Sequence, residues 1–425
     1  MVRIESNTVD YGKLLFYLRM KKNLTQQELS AGICSIPYLS KVENSKITPS
    51  NEILTLLLKR VNICIDNLNL DKENIITNLE RLYQAIIKRE ESRVIDQLKN
   101  TIDSKINNVY FTDLLFYYDL ISLRYFIHKK CQKNIVSLID TLLKNKGKLN
   151  NHQNTYLDYF LGLYQCTINR DFLKGIEHLE NVIHFFNNPD NEDPEFFFHL
   201  SLTYTNIFNT KMALVYAKKS LAIFNNKLFF NRSLECHLLL GVNYGRLKEY
   251  SKAIEIYNQI INVAAGLEYR TIYIKTLHNL GYIYSKLKNY EESISYYTQT
   301  LNYLDSTSES YLNVLVELAT VLKEHGQLKT ALKWVNIGLE QSSKNSWTSN
   351  KVLQLEIIKY QVEKTDIEFI EFLEREAIPR FIETNDIKML LHFYEVIGKK
   401  SKKIHQYKKS SYYYELCFDL REKMN

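Results

Sequence analysis

Leu14, Leu15 and Leu18 recur at helical spacing after Tyr11, so the apolar pattern predicts a first amphipathic helix that ends at Lys21-Lys22-Asn23. Thr25 and Glu28 then stand three residues apart, the spacing of a capping box in which each side chain satisfies an orphan backbone N–H. A short second helix, Thr25 to about Ala31, follows. Gly32 permits a tight turn, Ser35 can cap a third helix and Pro37 sits in its first turn, where a missing N–H costs little. That helix runs from about Ile36 to Asn44. Pro49-Ser50 repeats the start signal for a fourth helix carrying Ile53, Leu54, Leu57, Leu58 and Val61 inward, and a fifth, Ile65 to Leu70, closes the bundle.

Beyond about Asp71 the pattern becomes periodic. The stretch Leu238 to Tyr257 recurs as Leu277 to Tyr297, with Gly241 and Gly281, Tyr244 and Tyr284, Tyr250 and Tyr290, Ala253 and Ser293, and Tyr257 and Tyr297 each 40 apart. The same phase fits Ser201 with Tyr204, Ala213 and Ala217, and Ala319 with Leu322, Leu328 and Ala331. Weaker copies place Gly162 before Phe172 and Gly175, and Gly398 before Tyr407, Ser410 and Tyr414; units around Ser122 and Tyr360 follow from spacing alone. A helix pair that cannot bury its apolar face alone buries it against the next pair, so this period predicts a solenoid of roughly eight pairs.

Composition agrees with an all-helical chain and narrows its chemistry. Five prolines and twelve glycines in 425 residues leave few breakers, and 45% hydrophobic with 24% charged residues allows a large core. The net charge of +7 matters only where it concentrates: residues 1–70 hold nine Lys or Arg against six acids. A second basic run, Lys399, Lys400, Lys402, Lys403, Lys408 and Lys409, reads as a solvated loop between helices. The six cysteines are far apart, with no C-x-x-C pair, so reduced thiols are expected rather than a disulfide framework or metal site. Neither a signal core nor an apolar stretch long enough for a membrane span is present, which points to the cytoplasm and away from the membrane.

Leu18 to Ser30 (LRMKKNLTQQELS), Tyr38 to Asn44 (YLSKVEN) and Thr48 to Ser50 (TPS) resemble the phage-repressor type of helix-turn-helix. The turn Gly32 to Ser35 is one residue shorter than that family's commonest form and is similar to the turn of peptide-responsive regulators. The resemblance implies Ser35, Ile36, Tyr38 and Lys41 as groove-facing positions, Gln26 as a contact from the preceding helix, and an internal ion pair between Arg19 and Glu43. The forty-residue units resemble tetratricopeptide repeats, with a step longer than that family's usual 34. The implied fold is all-α: an N-terminal phage-repressor-type helix-turn-helix bundle at 1–70, then a right-handed tetratricopeptide-like superhelix at 71–425. In such a superhelix the first helix of each pair lines a concave groove.

Polar residues on those helices that packing does not require are expected to hold an extended peptide by its backbone. They are Arg124, His199, Asn206, Asn243, Arg246, Lys275, His278, Asn279, Tyr282, Asn313, Glu317 and Thr320. A DNA-reading head joined to such a groove resembles the peptide-pheromone regulators of the Rap, Rgg, NprR, PlcR and PrgX group, most of all their NprR and PlcR branch. That resemblance implies a cytoplasmic homodimer or larger assembly that binds double-stranded promoter DNA and is switched by a short signalling oligopeptide. A competing class is a repeat protein that sequesters or dephosphorylates a phosphorelay response regulator. No nucleophile elbow, H-E-x-x-H or phosphate-binding loop points to an enzyme, and no cofactor is expected.

Overall fold

The computed structural model describes residues 10–61, 72–106, 112–264, 269–345 and 350–422. The expected fifth helix at Ile65–Leu70 and the boundary at 70/71 lie outside the described residues. All regular structure in the described residues is helical. The chain forms two compact units, residues 1–243 and 244–425.

The first unit opens with a four-helix head: α1 (Tyr11–Lys21), α2 (Gln26–Ser30), α3 (Ile36–Glu43) and α4 (Asn51–Arg60). Each start is set by a side-chain cap. Asp10 accepts from the Lys13 N–H, Thr25 and Glu28 form the expected capping box, and Ser35 and Ser50 accept from Tyr38 and Ile53. Gly32 takes a left-handed φ of +69° in the turn, which a side chain would resist. Arg60 reaches back from the end of α4 to donate to the Leu29 and Ala31 carbonyls, satisfying the end of α2. Leu14, Leu15, Leu29, Leu39, Val42, Leu57 and Leu58 are fully buried between these helices. Gly12 lets α1 cross α3 closely, since a Cβ there would sit 2.1 Å from the Val42 carbonyl oxygen.

The repeats of the first unit are α5 (Lys72–Lys88), α6 (Ser92–Ile106), α7 (Thr112–Lys129), α8 (Gln132–Lys144), α9 (Asn151–Tyr164), α10 (Phe172–Asn187), α11 (Pro194–Asn206) and α12 (Thr210–Asn226). α13 (Phe230–Arg246) reaches the division at Asn243. The second unit continues with α14 (Tyr250–Ala264), α15 (Arg270–Lys286), α16 (Tyr290–Tyr303), α17 (Glu309–Glu324) and α18 (Leu328–Lys344). It ends with α19 (Asn350–Glu363), α20 (Asp366–Phe372), α21 (Ile378–Glu383), α22 (Ile387–Lys403) and α23 (Tyr407–Glu422).

Within the units the repeats use one recurring device. A serine hydroxyl donates to the carbonyl of the small residue on its partner helix: Ser293 to Gly281 at 2.7 Å, Ser410 to Gly398 at 2.8 Å, and Ser201 to Ala213 at 2.8 Å. Tyr257 and Tyr297 are each 1% exposed, as the forty-residue phase requires. The tight turns after α11, α13 and α15 place Phe208, Lys248 and Lys288 at φ near +60°, although none is glycine. Each turn is closed by the same two backbone hydrogen bonds, such as Glu249 N–H to Tyr244 and Lys248 N–H to Gly245, which offset the steric cost of the left-handed residue. The C-terminal lysines lie on helix ends rather than in a loop. Lys400 and Lys403 pair with Asp366, and Lys409 pairs with Glu374.

Candidate functional site

The head presents one edge of α3. Ser35 Oγ accepts from the Tyr38 N–H at 3.3 Å and fixes the helix start, while Leu39 and Val42 anchor the opposite side in the core. Ser35, Ile36 and Lys41 are exposed and Tyr38 is half-exposed, so an apolar side chain, a ring with a hydroxyl and a cation share this edge. Behind it, Arg19 Nε and Nη2 donate to Glu43 Oε1 and Oε2 at 2.6 and 2.9 Å, a buried two-pronged pair. Gln26, partly exposed at the start of α2, is tied to this pair. Its amide donates one N–H to Glu43 Oε2 at 2.7 Å, which leaves the second N–H and the oxygen for an outside partner.

The head is docked on the repeats of its own unit. Tyr17, 1% exposed, donates its hydroxyl to Asp119 Oδ2 on α7 at 2.9 Å and meets Phe116 edge to face at 5.3 Å. Burial pushes the Asp119 carboxyl up to about 6, with Lys21 and the Tyr17 hydroxyl pulling the other way. Lys148, from the turn before α9, donates to the Glu43 carbonyl and to Asn44 Oδ1 at 2.9 Å each and lies over the Phe16 ring.

In the same unit Arg124, His199 and Asn243 do not face an open groove as expected. Each is buried and bonded to a residue on another helix, with Asn243 Oδ1 and Arg124 Nε left without a hydrogen bond among the described residues. Asn243 Nδ2 donates to Thr205 Oγ1 and to the Leu239 carbonyl, both at 2.8 Å, and His199 Nδ1 bonds the Tyr159 hydroxyl at 2.7 Å. Arg124 donates to Glu195 Oε1 at 2.9 Å, and Arg232 and Arg89 approach the same oxygen at 3.7 and 3.6 Å. Burial alone would raise the Glu195 carboxyl, but Arg124, Arg232 and Arg89 hold it well below the usual carboxylate range. His199 lies beside Glu195, but burial drives it strongly toward the neutral form, so the arginines hold the carboxylate charged. Asn206 is exposed and donates to the Leu202 carbonyl of its own helix.

The second unit gathers its expected residues into two groups. Lys275, His278 and Asn313 line a cleft of about 340 Å³ together with Thr271, Thr300 and Ser310. His278 Nε2 also stands 2.9 Å from Glu317 Oε2 on α17. Burial would raise the Glu317 carboxyl, but His278 and the Tyr297 hydroxyl together lower it. Asn279 and Arg246 face the buried Tyr257 hydroxyl, with Tyr282 beside Arg246 and 46% exposed. Thr320 bonds the Val316 carbonyl of its own helix. Among the described residues no cluster of His, Cys, Asp or Glu is placed to hold a metal ion, and no helix is long and apolar enough to cross a membrane.

Sequence reasoning missed Tyr17, Asp119, Lys148, Arg89, Glu195 and Arg232, all of which work through partners distant in the chain.

Residues 15–64 match a family model described as helix-turn-helix, and 234–266 and 272–340 match tetratricopeptide repeat models. The chain is 26% identical over 413 residues to the transcriptional activator NprA of Geobacillus stearothermophilus, covering 93% of this chain and 99% of that protein. It is similar to the apo form of the quorum sensor NprR from B. thuringiensis (TM-score 0.77, 21% identity, 83% of this chain and 99% of that one). It is also similar to NprR in complex with its cognate peptide NprX (TM-score 0.60, 22% identity, 83% and 100%).

Proposed function

We infer that this chain, a member of the Rap, Rgg, NprR, PlcR and PrgX group, is a DNA-binding transcriptional regulator switched by a short peptide held among its repeats. Residues 1–70 read duplex DNA, and residues 71–425 sense the peptide and mediate self-association in the cytoplasm. The protein acts by binding rather than by catalysis.

The observation that carries this reading is a division of labour among polar groups. In the head, the buried ion pair is satisfied internally with one N–H of Gln26, while Ser35, Ile36, Tyr38 and Lys41 are left at the surface of a helix short enough to enter a major groove. In the repeats, Lys275, His278 and Asn313 converge on a cleft that can take a side chain or a peptide bond. The Asn313 amide both donates and accepts, as the backbone of an extended peptide requires. A peptide shifts the protein only as far as it prefers one arrangement of the repeats over another.

The head assignment is tested by Lys41→Ala in the full chain. If Lys41 meets phosphate, the slope of log affinity against log salt becomes shallower by about 0.9. An unchanged slope and affinity would remove Lys41 from the interface.

A further inference from the structure

We propose that the turn joining α8 to α9 is a second DNA contact, in which Lys146 takes a backbone phosphate of the same duplex that α3 reads. The proposal rests on the reading of the head as DNA-binding and extends the interface into the repeat part of the chain.

The turn is held where a phosphate contact needs it. Lys148 is pinned to the C-terminal end of the reading helix by its two hydrogen bonds, to the Glu43 carbonyl and to Asn44 Oδ1. The Tyr17–Asp119 hydrogen bond and the Tyr17–Phe116 contact fix α1 against α7 and so hold head and turn in one register. Residues Lys146–Lys148 form a single 3-10 turn, which lets Lys148 lie against the head while Lys146 stays in solvent.

Helix length places this end of α3 near the phosphates. Eight residues at 1.5 Å each span about 12 Å, and the major groove is about 12 Å wide. With the Ser35–Tyr38 end at the base edges, the Glu43–Asn44 end emerges at the wall of the groove, where the backbone runs. Whatever protein surface adjoins Asn44 therefore meets phosphate.

That surface is rich in lysine, although the Glu43 and Asp10 carboxylates act on Lys148. Lys146 has no hydrogen-bond or ion-pair partner among the described residues, and Lys148 binds neutral oxygens rather than a carboxylate. Lys13 lies close enough to act on Lys148, and exposed Lys41 and Lys46 stand on either side of Asn44 in sequence. Of the two acids that act on Lys148, Glu43 is ion-paired with Arg19, while Asp10 accepts only neutral donors, the Ser45 hydroxyl and the Lys13 backbone N–H, and keeps its charge among the surrounding lysines. Lys144, the other lysine of this segment, pairs with Asp140 and is not part of the contact.

The test is salt-dependent titration of the full-length protein with a mixed-sequence duplex and with a duplex selected for tight binding. Lys146→Ala is expected to make the log–log salt slope shallower by about 0.9 and to weaken binding equally on both duplexes; Lys146→Glu is expected to weaken it further. Lys148→Met, which removes the pin, is expected to reproduce part of that loss. If Lys146→Glu binds both duplexes with the parent affinity and slope while Lys41→Ala binds more weakly, the turn is not a contact and the reading of the head stands. If the parent protein binds neither duplex, the head assignment itself fails and this proposal with it.

Discussion

Replacing Arg19 with methionine is expected to unfold the head, at a cost of about 3–5 kcal/mol, because it strands the Glu43 carboxylate in a site where only 1% of that side chain is exposed. Arg19 gives that carboxylate two hydrogen bonds and a third, at 3.0 Å, to the Leu24 carbonyl that starts the turn into α2. Losses of this size exceed the margin of so small a bundle, so duplex binding should vanish and limited proteolysis should cut within residues 10–61. The double variant Arg19→Met/Glu43→Leu replaces the pair with apolar groups and is expected to recover most of the stability. Proteolysis of the single variant at the parent rate would show that the pair holds nothing together.

Glu195→Gln carries the second large effect. It leaves Arg124, 2% exposed, facing a neutral amide, while Arg232 and the half-buried Arg89 keep a second carboxylate, that of Glu235. Uncompensated buried charge again costs about 3–5 kcal/mol, which for a unit of this size lowers the melting temperature on the order of 10 °C. The sign of the pH dependence follows from the depressed carboxyl. Its stabilisation is fully present above the usual carboxylate range and is lost only as pH falls toward the lowered folded-state value, so the parent protein should hold this network at pH 5. Adding Arg124→Met to Glu195→Gln should return part of the loss, because it removes the stranded charge. Equal melting of parent and Glu195→Gln by calorimetry would refute the account of this cluster.

The features legible in the chain are those whose cause is local. Thr25, Ser35 and Ser50 cap helices through bonds to N–H groups three residues on, and the small-residue and tyrosine phase marks where one repeat helix meets the next. Arg19 and Glu43 were paired by family resemblance alone, since they are 24 residues apart. Rotation of a helix about its axis and long-range polar partners leave no such mark. Asn243 has the residue type and the register of a groove position, yet Thr205, 38 residues earlier, takes its amide. Arg124 looked available because nothing in the sequence distinguishes Glu195 from any acid in a helix's first turn, where the helix dipole alone would favour it. Tyr17 reads as an ordinary aromatic on α1; its partner Asp119 lies 102 residues away.

The central claim is that a peptide among the repeats changes how tightly the head holds DNA. It is tested most directly by selecting a tight-binding duplex from a random library with the full chain, then titrating it with and without a saturating pool of five- to eight-residue peptides. The expected outcome is an inverted-repeat duplex whose affinity shifts when the pool is present, with the shift abolished by Asn313→Ala and the peptide-free affinity unchanged. Peptides that bind the protein and leave its affinity for that duplex where it was would contradict the claim.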